Sequence, residues 1–349
     1  MIDIIKTADS SEHSIRLFRL TNKCGNHVDI CNIGASIVSI VVNDKSSSQV
    51  DVCLSYSKLE NYLGNPFYLG CALGRTAGRI DSGVFELDKQ KFILSVNNNG
   101  NCLHGGTHGL SHKVFEHDID LDSRELKLKT KLIDGEQGYP GNLDIVISYS
   151  FDDNNRLKID YQAKCDKPSL CNLSNHLYLN LNGHNKANIE NHQLKLYAES
   201  YSLIDSNNIP LRDTDTIDSP FDFEYFTAIG KSINDNHEQI KKAKGYDHNF
   251  IISRDEGDDL CLAAESYSPE TGILVKFYTT EKCFQFYSGN YLSLKENCKD
   301  KANYEARQGF CLEAGSWPNG INNKNFDSSI LRPGETYRQT TVYEFAIQS

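Results

Sequence analysis

A chain of 349 residues, 39% hydrophobic and 24% charged, is long enough to enclose a large core, and big β folds run past ~200 residues as one unit. Its formal net charge of −11 argues against nucleic acid or an anionic membrane as partner, because both need clustered Lys and Arg; a neutral substrate fits best. Tyr and Phe are plentiful (18 and 16) and Gly outnumbers Pro 24 to 8, which favours strands over helix bundles.

In chain order, short alternating or apolar runs at residues 14–20, 35–42, 84–87, 91–95, 125–133, 143–150, 157–163, 193–197, 273–279 and 340–346 predict strands. NNNGN, DDNN, SNN and DSG segments between them are turn chemistry. Residues 237–244 predict one short helix and 56–62 a further turn or two. Strands this numerous without interleaved helices predict an all-β fold, with antiparallel sheets packed as a sandwich or barrel. With no internal repeat and no long linker, one domain is expected over 1–349. A concave sheet face would be its natural ligand site.

The eleven cysteines are irregularly spaced and contain no CxxC pair, so they read as reduced thiols packed as small hydrophobes. That expectation, with no apolar run of signal-peptide length at the start and none near the ~20 residues of a membrane span, points to the cytoplasm.

Five segments could carry chemistry. Residues 73–80 (LGRTAGRI) hold two glycines but match neither GxxxxGK[ST] nor GxGxxG, so a nucleotide reading is rejected. In 101–112, His104, His108 and His112 recur every four residues. A helix would gather them into a metal site, yet three glycines oppose a helix at ~1 kcal/mol each. A glycine-rich loop presenting His104 to a ligand is the stronger reading. Residues 171–181 alternate as a strand, with Asn172, Ser174, His176, Tyr178 and Asn180 on one face; that row of hydrogen-bonding groups suits a sugar or a solvent-exposed surface equally. Asp247, in GYDHNF, could accept sugar hydroxyls or hold a turn. Glu313, in FCLEAG, ends an apolar run; it reads as a surface glutamate at a strand end or as a buried acid, and in the second case desolvation would raise its pKa from ~4.3 and make it a better general base.

Taken in order, GRTAGRI, NGNCLHGG, DGEQGYPGNL, NLSNHLYLNL, SPFDF, GYDHNF, FQFYSGNYL, CLEAGSWPNGIN and ILRPGETYRQTTVYEF resemble the aldose 1-epimerases, specifically the galactose mutarotases, across residues 30 to 346. The resemblance implies a large antiparallel β-sandwich of that type with no metal and no organic cofactor. It implies a free hexose as substrate, whose anomers are exchanged by ring opening and reclosure. By the same resemblance Glu313 is the general base on the C1 hydroxyl and His176 the general acid on the ring oxygen. The resemblance further implies sugar contacts from His104, Asp247, Arg79 and Gln285; a monomer or homodimer is expected. Three departures stand out: Gly78 where Asn is common, Gly315 where Gln is common, and Pro318-Asn319 where Pro-Asp is common. Competing readings are a hexose-6-phosphate 1-epimerase, which needs converging Arg or Lys with only Arg75 and Arg79 available, a non-catalytic sugar binder, and a two-carboxylate glycosidase.

Overall fold

The computed structural model describes residues 1–9, 14–254 and 259–348. The ten strands predicted from the alternating and apolar runs are present, nine of them within two residues at each end and the last starting three residues earlier, at Tyr337. The predicted helix is there as Glu238–Ala243, and the turn near 56–62 is a 3₁₀ segment at Leu59–Gly64.

The backbone of the fold is a nine-stranded antiparallel sheet. Its order is Glu116–Asp120, Glu125–Leu132, Leu143–Phe151, Arg156–Cys165, Tyr337–Ile347, Ile273–Thr279, Cys261–Tyr267, Gln193–Leu196 and Thr227–Ala228. Leu143–Phe151 shows why it forms: strict alternation leaves its odd-numbered residues buried and the even ones outside, the pattern of a half-buried strand. Two five-stranded sheets accompany it. One is a meander of Ile2–Asp9, Ser14–Thr21, His27–Cys31, Ser36–Asn43 and Gln49–Asp51. The other runs Pro210–Asp215, Ala198–Ile204, Asp247–Ile252, Cys283–Tyr287, Cys311–Gly315.

The last sheet positions the site. Phe250, Phe284, Phe286, Leu312 and Ala314 belong to the main core cluster together with Phe277, Tyr343 and Phe345 of the nine-stranded sheet. Phe277 and Phe284 stack edge-on at 5.7 Å between ring centres. Tyr343 donates its hydroxyl proton to the Leu312 carbonyl at 2.8 Å. With alternate residues committed to this interior, the intervening ones must face the other way.

Residues 171–181 do not form the single strand that their alternation predicts. Only Ser174–Asn175 pairs as a ladder, with Ala72–Leu73, and Leu179 makes isolated bridges to Cys53 and Phe310. The segment is buried on both sides, and two of its amides serve backbone: Asn175 donates to the Gly70 carbonyl and Asn180 to those of Ala187 and Gln308.

Arg75 is a structural residue. The residue is 2% exposed. It donates to the carbonyls of Pro140, Leu132, Ile133 and Gly141 and to the Ser169 hydroxyl, at 2.8–3.3 Å. Lysine has three donors in no fork and cannot serve five acceptors. Arg75→Lys is therefore expected to cost roughly 2–4 kcal/mol through buried carbonyls left unpaired. A urea midpoint within error of wild type would contradict this role.

Candidate active site

Three neighbouring strands supply most of one wall. Their register aligns Asn249 with Gln285 and Gln285 with Glu313, and in the next row Asp247 with Tyr287 and Tyr287 with Cys311. All six sit on the face opposite the phenylalanine core. The other walls come from loops. Arg79 arrives on a two-residue strand paired to Cys102–Leu103. His104 follows that strand, with left-handed φ of 51°. His176 is pinned through its backbone: its N–H donates to the Cys71 carbonyl and its carbonyl accepts from Gly70.

These elements enclose a cavity of about 360 Å³, within the range of small-molecule sites. All six residues singled out in the sequence line it: Arg79, His104, His176, Asp247, Gln285 and Glu313. His108 is exposed and His112 sits in a separate 3₁₀ turn, so the three-histidine pattern is not gathered. Of the polar row at 172–180, Asn172, His176 and Tyr178 reach the cavity. Alternation around Asp247 and Gln285 could also have pointed to Asn249 and Tyr287. Tyr68 had no signal: it lies in a loop with φ of 57°, 4.8 Å from the His104 ring and 5.9 Å from that of His176.

Glu313 Oε1 lies 3.6 Å from His176 Nε2, and both side chains are 6% exposed. Burial pushes the Glu313 carboxyl well above the usual range, and the negative Asp247 adds to this against Arg79. Burial also lowers His176 to about 3. Both groups are thus driven to their neutral forms, leaving one transferable proton on the pair, held by Glu313.

Around this pair the groups are tied down. Gln285 Nε2 donates to Asp247 Oδ1 at 2.7 Å, Asn208 reaches Oδ2 at 3.4 Å, and Arg79 Nη1 stands 3.9 Å from Oδ2. Arg79 Nε donates to Asn98 Oδ1. His104 Nδ1 accepts the Gly78 N–H at 3.2 Å while the His104 N–H donates to the Gly78 carbonyl. That fixes the His104 tautomer, with the proton on Nε2. His104, His176 and Glu313 bring one potential ligand atom each within 4.8 Å of one another. The protonated Nε2 of His104 is a donor there, which suits a hydroxyl oxygen better than a cation.

Each glycine departure has a steric counterpart. Gly78 has φ of 73°, and a Cβ there would lie 2.7 Å from Pro318. A Cβ on Gly315 would meet Asn172 Oδ1 at 2.9 Å, where that oxygen accepts the Ser316 N–H. Asn319 is not among the cavity-lining residues; its Oδ1 accepts from the Asp81 N–H and the Asn322 amide. In the LHGG turn, Gly105 has φ of 88°, and a Cβ would sit 1.9 Å from the Gly74 carbonyl oxygen.

Fold and site together define a class: a β-sandwich with a polar, small-molecule pocket equipped for proton transfer. The aldose 1-epimerase family model matches residues 16–344. Galactose mutarotases of Sus scrofa and Homo sapiens are each 33% identical over 321 residues, covering 92% of this chain and 91% of theirs. An aldose 1-epimerase of Escherichia coli (strain K12) is 32% identical over 333 residues, 95% of each chain. The crystal structure of a galactose 1-epimerase from Lactobacillus acidophilus NCFM superposes with a TM-score of 0.87 at 25% identity, covering 100% of this chain and 99% of that one. The chain belongs to the aldose 1-epimerase family.

Five histidines are buried and pushed towards the neutral form: His176, His192 and His248 are lowered to about 3, His104 well below 6.5 and His184 below 6.5, all chiefly by burial. Unfolded, each takes a proton near 6.5, so below that pH the unfolded state binds more protons and stability falls. Each contributes a loss of up to about 1.4 kcal/mol per pH unit as pH drops from 6.5 towards the folded values. The raised carboxyls Glu313 and Glu281 act oppositely but are fewer. Thermal melts are expected to shift down by at least ~5 °C between pH 7 and pH 5; a level Tm would contradict the buried neutral state.

Proposed function

We propose that the chain is an isomerase that interconverts the α and β anomers of a free hexose, galactose or glucose, using Glu313 as base and His176 as acid. The observation that carries this reading is the buried Glu313–His176 pair at 3.6 Å inside the pocket. Asp247, held by Gln285 and flanked by Arg79, has lone pairs left to accept sugar hydroxyls, and His104 Nε2–H and Arg79 offer donors.

Moving the shared proton from Glu313 to His176 creates carboxylate and imidazolium, the form that reacts. Glu313 then removes the C1 hydroxyl proton as the C1–O5 bond breaks, and His176 delivers its Nε2 proton to O5. The aldehyde turns about C1–C2. On reclosure O5 returns its proton to His176, and the new C1 oxygen takes one from Glu313. Protons balance, and no electron leaves the sugar. Each positioned group is worth typically 10²–10⁴-fold.

A phosphorylated hexose fits poorly, since Arg75 is committed to carbonyls and Arg79 is the only Lys or Arg among the described lining residues. Two carboxylates in one pocket make glycoside hydrolysis the second reading, but Asp247 is tied to Gln285, Asn208 and Arg79. We read 1–349 as one domain, because a single apolar cluster runs from Phe18 to Phe345. A cytoplasmic location is supported by eleven free thiols, nine of them buried; no helix among the described residues is long and apolar enough to cross a membrane. A monomer or homodimer is the expected state.

Polarimetry of fresh α-galactose and α-glucose tests the assignment. Wild type should accelerate mutarotation over buffer, and Glu313→Gln should lose at least ~10²-fold in kcat/KM with its circular dichroism unchanged. Wild-type activity in that variant would remove Glu313 as base; release of nitrophenol from a nitrophenyl galactoside would favour the hydrolase. The pair's protonation sets the pH profile of the free enzyme. His176 takes a second proton only near pH 3, and activity is lost on the alkaline side as raised Glu313 gives up the last one. So kcat/KM should not rise with pH through 6.5; a rise centred there would mean an ordinary solvated imidazole.

A further inference from the structure

Cys311 and Glu313 are two residues apart on one strand, so their side chains leave the same face. His176 lies across from both. Its Nε2 is 3.6 Å from Glu313 Oε1, and its Nδ1 is 3.4 Å from Cys311 Sγ. One strand therefore addresses both ring nitrogens. We propose that Cys311 is the positioning residue of His176: its sulfur accepts the Nδ1 proton, so the imidazole rests with the Nε2 lone pair turned towards Glu313 and the sugar. This assignment rests on the Glu313–His176 reading above.

The hydrogen-bond inventory leads to this tautomer. Glu313 rests protonated and His176 neutral, so a carboxyl O–H facing Nε2 needs a lone pair there. A proton on Nε2 would leave no lone pair there to receive the carboxyl proton and so block direct transfer. The ring's one proton then sits on Nδ1, and Cys311 Sγ is the side-chain atom placed to accept it. Cys311 is fully buried, and its surroundings, Glu313 and Asp247 included, keep the thiol un-ionised. His104 is fixed the opposite way, its Nδ1 accepting from Gly78 and its Nε2 carrying the proton. The two histidines, with rings 5.5 Å apart and nearly perpendicular, thus present one donor and one acceptor to the same pocket.

The choice of sulfur has a chemical consequence. A carboxylate at Nδ1 orients an imidazole but also stabilises the imidazolium. A neutral, soft acceptor orients it with little such stabilisation. Protonated His176 therefore stays acidic enough to release its proton to the ring oxygen.

Histidine-labelled protein without sugar gives the test, through long-range ¹H–¹⁵N spectra with the His176 signals assigned by their loss in His176→Asn. The wild type should show the Nδ1–H tautomer. In Cys311→Ala the signals should move towards the Nε2–H tautomer, and kcat should drop ~5–10-fold with KM within ~2-fold. Cys311→Ser, whose hydroxyl can accept, should recover the tautomer and most of the rate. An Nε2–H tautomer in wild type, or wild-type tautomer and kcat in Cys311→Ala, would overturn the assignment. The spectrum needs no catalysis: an Nδ1–H signal in a protein that fails the polarimetric assay supports the positioning role while refuting the proposed reaction.

Discussion

The Glu313 carboxyl reaches the pocket from a strand whose alternate residues, Leu312 and Ala314, are held in the core against Tyr343 and the phenylalanines. It is only 6% exposed and lies 3.6 Å from the imidazole. Isolated charges in such a place are costly, so the fold itself drives proton sharing between the two groups. The nearest cation, Arg79, already faces Asp247; had it paired with Glu313 instead, the carboxyl would be ionised and a far weaker base. The partition of Arg79 to Asp247 and His176 to Glu313 separates gripping from proton transfer within one pocket.

Much of this was legible before any coordinates. Period-two alternation marked the strands because each sheet has one face in the core, and Leu143–Phe151 is typical. Glu313 could be singled out as an acid at the end of an apolar run. The residues by themselves show His176 only as part of a polar row, and that row is not a strand face: residues 171–181 are buried on both sides, the Asn180 amide serves loop carbonyls, and Asn172, His176 and Tyr178 reach the cavity. Tyr68 and the sulfur of Cys311 were not legible. The first depends on a left-handed loop residue, the second on contact between segments far apart in the chain. Local pattern reports the face a residue takes, not the residue it meets across the fold.

The same limit governs the paired arginines of GRTAGRI. By composition Arg75 and Arg79 are equivalent, and either could have met an anion. Tertiary structure sends Arg75 inward to four carbonyls and a hydroxyl, and Arg79 into the cavity. Charge counting along a sequence therefore overstates the positive potential available to a ligand. What remains in the pocket is one guanidinium against Asp247 and a neutral pair, a balance suited to a neutral polyol.

The glycine departures fit this economy of space. At Gly78 the position of a side chain is taken by Pro318, and at Gly315 by the Asn172 amide. Asn172 in turn holds both the N–H and the carbonyl of Ser316, anchoring the end of the strand that carries Glu313. A side chain at Gly315 would have to displace that amide, and the displacement would loosen the strand end two residues from the carboxyl. At Gly78 a side chain would push Pro318 away and disturb the backbone N–H that fixes the His104 tautomer. Loss of side chains at these two positions thus removes possible sugar contacts, yet it preserves the orientation of the groups that move protons, because both glycines leave room for the atoms that hold Glu313 and His104 in place.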